Sequence, residues 1–381
     1  GDIDDDGKVE VVTRKLLYDE PGKPWIEGGD YYLLTIDALS GVSETQILID
    51  TLKAPTPPVI LKTQFNGLGN ICFFHNDSIK GVSYLGSKVF SESISDFPAG
   101  TQTIGSADFN QDGIPELYDK RSIFNALNGK QLIVGTGGSG CHGHSLYNCA
   151  WHHSIAGDFL PDYPGLELAA GNTVYAIDIN NLNGAVGNSI TPIVAPPPVK
   201  DGLTSMADID RDGQLDVIVI HSNENPNGGG IWIWNPRTQS LIAEAPAGVR
   251  GSVAFVGDVD GDCQPEIGMT FDYELRMYRY NGTTQLELMY SLPTTDDSGA
   301  TGLTMFDFNQ DGKNEIVYRD ETSLRIIEGS TGVTLSSFPV LSHTYREYPV
   351  VADVDQDGQA EILVSGYIEN EEEGRIYCFE T

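Results

Sequence analysis

A nine-residue acidic motif occurs six times in this chain of 381 residues, and it constrains the possible folds more than any other feature of the sequence. Each copy has Asp at position 1, Asp or Asn at position 3, Asp at position 5 and Asp or Glu at position 9. These side chains are Asp2, Asp4, Asp6 and Glu10; Asp108, Asn110, Asp112 and Glu116; Asp208, Asp210, Asp212 and Asp216; Asp258, Asp260, Asp262 and Glu266; Asp307, Asn309, Asp311 and Glu315; and Asp353, Asp355, Asp357 and Glu361.

The motif has the ligand pattern of a calcium-binding loop. Four side-chain oxygens and a backbone carbonyl at position 7 suit Ca²⁺ better than Mg²⁺, which prefers a smaller octahedron and retains its waters. Position 6 is Gly in five copies and Cys263 in the fourth, and we expect a positive φ there. The residues at position 7 are Lys8, Ile114, Gln214, Gln264, Lys313 and Gln359.

A degenerate seventh copy begins at Asp158. It retains Asp158, Asp162 and Glu167, has Leu160 at position 3, and is one residue longer than the others. Three carboxylates with backbone carbonyls could hold an ion, and a proline-braced loop without metal fits equally well. The sequence therefore predicts six calcium ions, or seven if this copy is occupied.

The copies recur at a nearly constant interval. With the degenerate copy they begin at residues 2, 108, 158, 208, 258, 307 and 353, so the last five steps are 50, 50, 50, 49 and 46 residues. Such a period is typical of stacked supersecondary units. The flanking segments, such as 203–207 and 215–220, are short, β-branched and mostly alternating or fully apolar, which argues against the helices of an EF-hand.

Each repeat is predicted to form four strands, with strand A before the acidic loop, B after it, an aromatic C, and D behind a turn. Because such a sheet cannot bury both faces alone, the repeats should stack into a β-propeller. We therefore expect an all-β chain and a single domain, 1–381. The approximate blades are 1–52, 53–100, 101–150, 151–200, 201–249, 250–299, 300–345 and 346–381.

Two features of this division leave alternatives. The first unit lacks strand A and the last lacks strand D, which we interpret as a chain cut from a longer protein rather than an imperfectly closed ring. Residues 53–100 have no acidic loop, so seven blades with an insertion there is the alternative to eight.

The pattern Gly/Ala-Asp-x-Asp-x-Asp-Gly-x-x-Glu-Ile at this period resembles the FG-GAP/VCBS repeat family, which includes the propeller of integrin α subunits. The resemblance extends over the chain except for 53–100. It implies a calcium-binding propeller and a secreted bacterial surface protein. Members of the family serve adhesion, carbohydrate binding and polysaccharide cleavage, so the resemblance by itself does not assign a function.

Charge excludes several classes of partner. The formal charge is −33, and 22 of the 55 acidic residues belong to the six complete loops. Six bound calcium ions would still leave a charge of about −21, so binding to nucleic acid or to an anionic membrane surface is not expected. The sequence also has no apolar run long enough to span a bilayer. Low-affinity calcium loops suit an extracellular setting.

A second group of candidate functional residues, histidines and cysteines, lies at 138–153. It contains His142, His144, His152 and His153 together with Cys141 and Cys149. A Cys141–Cys149 disulfide in an oxidising compartment is the favoured interpretation. A zinc or copper site and a ligand-binding loop are the alternatives. We expect the remaining cysteines, Cys72, Cys263 and Cys378, to be buried.

Aromatic residues could form a sugar-binding surface. We expect Trp232 and Trp234 to pack between blades, and Trp25, Trp151, Tyr345 and Tyr348 to be the exposed candidates.

Three functions are compatible with these observations. The favoured one is a secreted or cell-surface binding or adhesion module for a protein or glycan. The others are a structural spacer within a large secreted protein and an enzyme of the polysaccharide-lyase or glycosidase type. An enzyme would require a carboxylate pair or a base outside the metal loops, and no catalytic signature occurs in the sequence. We therefore predict no catalytic residues.

Overall fold

The structure is a computed structural model that describes residues 2–4, 6, 8–18, 29–37, 40–50, 56–61, 69–94, 104–142, 149, 151–222, 229–342, 344, 348–367 and 374–381. These residues form 30 strands and no helix. The strands of the first four blades are β1 Glu10–Tyr18, β2 Gly29–Asp37 and β3 Ser43–Asp50; β4 Val59–Leu61, β5 Asn70–His75, β6 Ser78–Ser83 and β7 Lys88–Ser93; β8 Gly105–Ala107, β9 Glu116–Asp119, β10 Ser122–Phe124 and β11 Gln131–Val134; and β12 Ile155–Gly157, β13 Glu167–Ala170, β14 Thr173–Asp178 and β15 Ser189–Val194.

The second half of the chain repeats this arrangement. Its strands are β16 Leu203–Ala207, β17 Asp216–His221, β18 Gly230–Asn235 and β19 Ser240–Ala245; β20 Phe255–Gly257, β21 Glu266–Phe271, β22 Glu274–Arg279 and β23 Glu287–Pro293; β24 Leu303–Phe306, β25 Glu315–Arg319, β26 Ser323–Glu328 and β27 Thr334–Pro339; and β28 Val350–Ala352, β29 Glu361–Tyr367 and β30 Gly374–Phe379.

Eight antiparallel sheets make an eight-bladed propeller. Six have four strands in chain order, and the first and last described sheets, β1-β2-β3 and β28-β29-β30, have three. The missing positions are those expected, strand A in the first blade and strand D in the last. Strands β4 to β7, within 59–93, form a four-stranded blade although the sequence of 53–100 has no acidic motif, so the seven-bladed alternative is wrong.

Hydrophobic clusters join neighbouring blades. In β17, Val217 and Val219 pack toward β14 of the preceding blade, whereas Ile218 and Ile220 pack toward β21 of the following blade. Because side chains alternate between the two faces of a strand, a fully apolar B strand can bury both faces at once. The strand sequence Asp216–His221 is therefore explained by stacking on two sides.

The aromatic C strands complete these clusters. Trp234 is fully buried and Trp232 is 6% exposed, both packed against the preceding blade, which confirms the prediction for these residues. The D strands, which follow the C strands in each sheet, are more exposed, and the side chains of β15 and β27 are mainly exposed. The core thus lies between the sheets, and loops join the strands at the two ends of the propeller.

Candidate metal centres

In each blade that has both strands and an acidic loop, this loop connects strand A to strand B, and in the first blade loop 2–10 leads directly into strand B. Position 2 is buried in the inter-blade core, as shown by Phe109, Ile209 and Val259, each at most 2% exposed. Position 9 begins strand B, as Asp216 does in β17. The loop is therefore held at both ends by the core, and its exposed middle contains the carboxylates at positions 3 and 5. The apolar residue at position 2 was not identified from the sequence, although its regular presence is a readable signal.

The position 9 carboxylate closes the loop through a hydrogen bond. The backbone N–H of Val259 donates to Glu266 Oε2 at 2.8 Å, and that of Ile209 donates to Asp216 Oδ2 at 3.0 Å. The same bond recurs in the other copies. The acceptors there are Glu10, Glu116, Glu167, Glu315 and Glu361. The donor lies seven positions before the acid, or eight for Phe159 and Glu167 in the longer copy. Because this bond fixes the carboxylate, its second oxygen has a fixed orientation.

The second oxygen of this carboxylate has no partner in several loops. Asp216 Oδ1, Glu266 Oε1 and Glu361 Oε1 are buried without a hydrogen-bond partner, as is Asp208 Oδ1. The three position 9 residues are at most 1% exposed. A buried, unpaired carboxylate oxygen is costly unless a cation or donor compensates it. These oxygens are the observation that makes the loops fit a cation.

The acidic triplets bring several carboxylates together. In four loops, three carboxylate oxygens lie within 4.8 Å of one another. These groups are Asp2, Asp4 and Asp6; Asp208, Asp210 and Asp216; Asp258, Asp260 and Asp262; and Asp353, Asp355 and Asp357. In the two remaining complete copies, Asn110 and Asn309 replace one carboxylate, and their side-chain oxygens accept from the N–H of Asp112 at 3.0 Å and of Asp311 at 2.8 Å.

Backbone hydrogen bonds hold the loops in one shape. The N–H at position 6 donates to the position 1 carboxylate, as from Gly213 to Asp208 Oδ2 at 2.9 Å. The N–H at position 7 donates to the position 5 carboxylate at 2.7–2.9 Å. The position 7 donors are Lys8, Ile114, Gln214, Gln264, Lys313 and Gln359. The acceptors at position 5 include Asp212, Asp262 and Asp357.

Two loop positions have left-handed backbone. At position 6 the expected positive φ is observed, 86° at Gly213 and 66° at Cys263. Position 4 is also left-handed, at 60° for Arg211, although most copies have no glycine there. The acidic pattern alone did not predict this second left-handed position. The one readable signal was Gly261, which occupies position 4 in the copy whose position 6 is Cys263.

Burial raises the pKa of several position 9 carboxyls. The pKa of Glu116, of Asp216 and of Glu266 rises to about 7, chiefly through burial, with a smaller contribution from the neighbouring aspartates. The pKa of Glu167 rises to about 7 for the same main reason. These carboxyls resist ionisation unless a positive charge compensates them.

The degenerate copy differs from the others. Glu167 Oε2 accepts from both Phe159 N at 2.8 Å and Leu160 N at 3.0 Å. Leu160 is buried, whereas Asp158 and Asp162 are exposed. Among the described residues the three-carboxylate groups do not include this copy. An apolar side chain directed into the core thus takes the place of the middle ligand.

The described ends of the histidine-rich segment pair with each other through an antiparallel bridge between Cys141 and His152. The structure contains the expected Cys141–Cys149 disulfide. His142 Nε2 lies 2.6 Å from Ser222 Oγ, and His152 Nε2 lies 2.5 Å from Asp119 Oδ1. His153 Nδ1 lies 2.8 Å from the carbonyl oxygen of Thr204. The three rings therefore have separate partners, and the carboxylate groups above are the only candidate metal clusters in the described residues. His144 lies outside the described residues.

Three predictions about single residues need correction. Trp151 is 6% exposed and packs edge-on against His142, so it is not part of an exposed sugar platform. Cys263 and Cys378 are exposed, whereas Cys72 is buried as expected. Cys263 is exposed because the loop directs position 6 into solvent. Trp25 and Tyr345 lie outside the described residues.

Within the described ranges, no helix is long and apolar enough to cross a membrane. No curated protein sequence matches the chain.

Solved structures with a similar fold belong to proteins with different functions. The structure of the V. cholerae biofilm matrix protein Bap1 has a TM-score of 0.65 and 15% identity, over 98% of this chain and 87% of that chain. Dihydro-heme d1 dehydrogenase NirN has a TM-score of 0.53 and 10% identity, over 96% of this chain and 73% of that chain. Quinohemoprotein alcohol dehydrogenase from Comamonas testosteroni has a TM-score of 0.51 and 9% identity, over 93% and 74%. At these identities the likeness shows the fold alone.

The sequence repeats match one family model. Three overlapping segments, 208–269, 258–318 and 307–364, match the model of FG-GAP-like repeats. Each segment runs from one acidic loop through the strands that follow it to the next, so the match and the geometry describe the same unit. The chain is an eight-bladed β-propeller that contains FG-GAP-like repeats.

Proposed function

We propose that this chain is a calcium-stabilised extracellular propeller that acts as a binding or adhesion module for a protein or glycan partner. The observation that carries the metal part is the set of buried, unpartnered carboxylate oxygens at position 9, beside the acidic triplets. The six complete loops would each hold one calcium ion. The Asp158 copy would hold a seventh only if Asp158 and Asp162 turned inward.

In this proposal the residues at positions 1, 3, 5 and 9 supply side-chain oxygens, and position 7 supplies a backbone carbonyl. In loop 208–216, hydrogen bonds from the backbone hold three of these carboxylates in position. Calcium would supply the positive charge that offsets repulsion among the carboxylates. Each occupied loop would then add free energy to the folded state, because the unfolded chain does not bring the same oxygens together.

Location and partner rest on further observations. The Cys141–Cys149 disulfide suits an oxidising compartment, and calcium is plentiful outside cells. The biofilm matrix protein named above has the same fold, which makes a matrix or surface role a reasonable model for this chain. A propeller gathers its loops at two ends, and loops held by a rigid scaffold are common binding sites.

Metal analysis and thermal unfolding in calcium, magnesium and chelator test the proposal. We expect about six bound calcium ions and a large loss of stability in chelator, with magnesium a weak substitute. Metal-free protein whose unfolding is unchanged by chelator would refute the calcium role.

The binding role needs its own measurement. Calcium-loaded protein would be titrated with neutral and uronic-acid polysaccharides and with extracellular matrix proteins, and reaction products would be analysed alongside. Saturable binding without product formation supports a binding module. Absence of binding across the panel would favour a structural spacer, and product formation would favour a lyase or glycosidase.

A further inference from the structure

Hydrogen bonds connect the acidic loop of one blade to that of the next. Asn314 is at position 8 of loop 307–315, between the proposed ligand positions Lys313 and Glu315. Its backbone N–H and its side-chain Nδ2 both donate to the carbonyl oxygen of Asp258, each at 2.9 Å. Asp258 is position 1 of the preceding loop. Asn314, which lies between two proposed ligand positions of its own loop, is thus hydrogen-bonded to the first proposed ligand residue of the preceding loop.

Close packing reinforces this connection. A Cβ at Gly329 would collide with the carbonyl oxygen of Asn314 and would lie 2.6 Å from Val259 Cβ. Only glycine allows the chain to approach both loops at this point. A Cβ on Gly261, in the same loop as Asp258, would lie 3.3 Å from Lys313 Cγ. Little space remains for loop 258–266 to move without loop 307–315.

A second bond extends the connection by one blade. Gln264, at position 7 of loop 258–266, donates from Nε2 to the carbonyl oxygen of Ile209 at 2.6 Å. Ile209 is position 2 of loop 208–216, and its N–H donates to the position 9 carboxylate of that loop, Asp216. The equivalent Gln359 of loop 353–361 donates instead to Asp357 within its own loop, at 3.3 Å.

We infer that loops 208–216, 258–266 and 307–315 bind calcium with positive cooperativity, an inference that rests on the proposed calcium function. In the absence of an ion, repulsion among carboxylates loosens a loop, and an ion must offset the cost of ordering it. If one loop is occupied, the hydrogen bonds from Asn314 and Gln264 order part of the next, which then has less entropy to lose. Repulsion between the ions opposes this effect, and physiological salt weakens that repulsion, because exposed charges are screened over about 8 Å.

Cys263 offers a local reporter for loop 258–266. It is exposed, and its backbone N–H donates to Asp258 Oδ2 at 2.8 Å. With Cys378→Ser as background, it becomes the one exposed free thiol of the described residues, because Cys72 is buried. The rate of its reaction with DTNB is measured against free calcium. Asp311→Asn then weakens loop 307–315, and Asp357→Asn, the same position in loop 353–361, is the matched control.

We expect Asp311→Asn to raise the calcium midpoint reported by Cys263 about three- to tenfold, a coupling of the usual size between linked sites. Asp357→Asn should change it less than twofold. Asn314→Ala should shift the midpoint in the same direction as Asp311→Asn while loop 307–315 retains its ligands. Gln264→Ala should weaken calcium binding by loop 208–216, whereas Gln359→Ala, its matched control, should leave calcium binding by that loop unchanged.

Equilibrium dialysis supplies an independent measurement. At the calcium concentration that half-saturates the wild type, each site holds about half an ion on average, so Asp311→Asn should lose clearly more than half a bound ion per molecule, and Asp357→Asn about half an ion. An unchanged Cys263 midpoint with a loss of about half an ion would overturn the coupling and leave the calcium sites intact. Protein that binds no calcium at all would instead refute the proposed function.

Discussion

The carboxylate of Asp201 accepts a hydrogen bond from the backbone N–H of Gly140 at 2.8 Å, across 61 residues of sequence. The same carboxylate accepts from Ser139 N at 3.0 Å and from Gly202 N at 3.1 Å. It therefore holds Ser139 and Gly140, which precede the disulfide-bonded Cys141, against the connection between the fourth and fifth blades. Burial raises the pKa of this carboxyl, and the hydrogen bonds to it act in the opposite direction.

The first prediction concerns this anchor. Asp201→Ala leaves the N–H groups of Ser139 and Gly140 without their acceptor, so it should lower the free energy of unfolding by about 2–3 kcal/mol. The loss should be equal in calcium and in chelator, because Asp201 is in no acidic loop. Denaturant unfolding measures it, with Asp178→Ala, an exposed strand aspartate, as the control. Equal stability of the two variants would contradict the anchoring role.

The second prediction separates metal binding from packing. Asp210→Ala should lower the melting temperature in calcium and change little in chelator, because the hydrogen bond that this carboxylate accepts from Asp212 N, at 3.2 Å, is exposed to solvent and contributes little. The expected loss is about 2.7 kcal/mol when free calcium is a hundredfold above the dissociation constant. Phe109→Ala, which removes a buried position 2 side chain, should destabilise the protein in both buffers. Equal effects of Asp210→Ala in the two buffers would show that Asp210 acts without metal.

The third prediction is a pH dependence. Glu116, Asp216 and Glu266 have a pKa of about 7 in the metal-free fold, whereas in the unfolded chain they ionise near their ordinary pKa of about 4. Between these values the folded state binds more protons, so the metal-free protein should lose stability as the pH rises from about 4 to 7. Calcium needs the ionised form, and its stabilising effect should therefore be larger at pH 7.5 than at pH 5.5.

Denaturant unfolding at these two pH values, with and without chelator, tests this dependence. A calcium effect of the same size at both values would mean that the position 9 carboxyls do not take part in binding.

The fourth prediction concerns the exceptional position 6. Cys263 has a φ of 66°, a left-handed backbone that disfavours any residue with a Cβ. Cys263→Gly should raise the free energy of unfolding by up to about 1 kcal/mol, since the relief of strain exceeds the added chain entropy of glycine. Gly213→Ala is the reciprocal test, because its Cβ would meet no atom within 4 Å and any loss must come from the backbone. A stabilising Gly213→Ala would contradict the argument.

The sequence alone determined the repeat, the strand order and the position of the acidic loops. The period of the repeats and the alternation of apolar residues are local properties of the chain. Acidic residues at positions 1, 3, 5 and 9 are likewise a local pattern, and it predicts a loop that gathers carboxylates. The B strand observed at 216–221 was therefore predicted, at 215–220, within one residue. The disulfide followed in the same way from two cysteines eight residues apart.

The tertiary structure decided what depends on neighbours distant in sequence. It showed that strands β4 to β7 form a blade although 53–100 has no acidic motif, because inter-blade packing of Phe74 against Phe124 requires apolar faces and no metal. It buried Trp151 and exposed Cys263, since burial depends on the direction of the chain and not on residue type. It also placed Asn314 on Asp258 of the preceding blade, a contact that no local pattern encodes because the stacking of blades creates it.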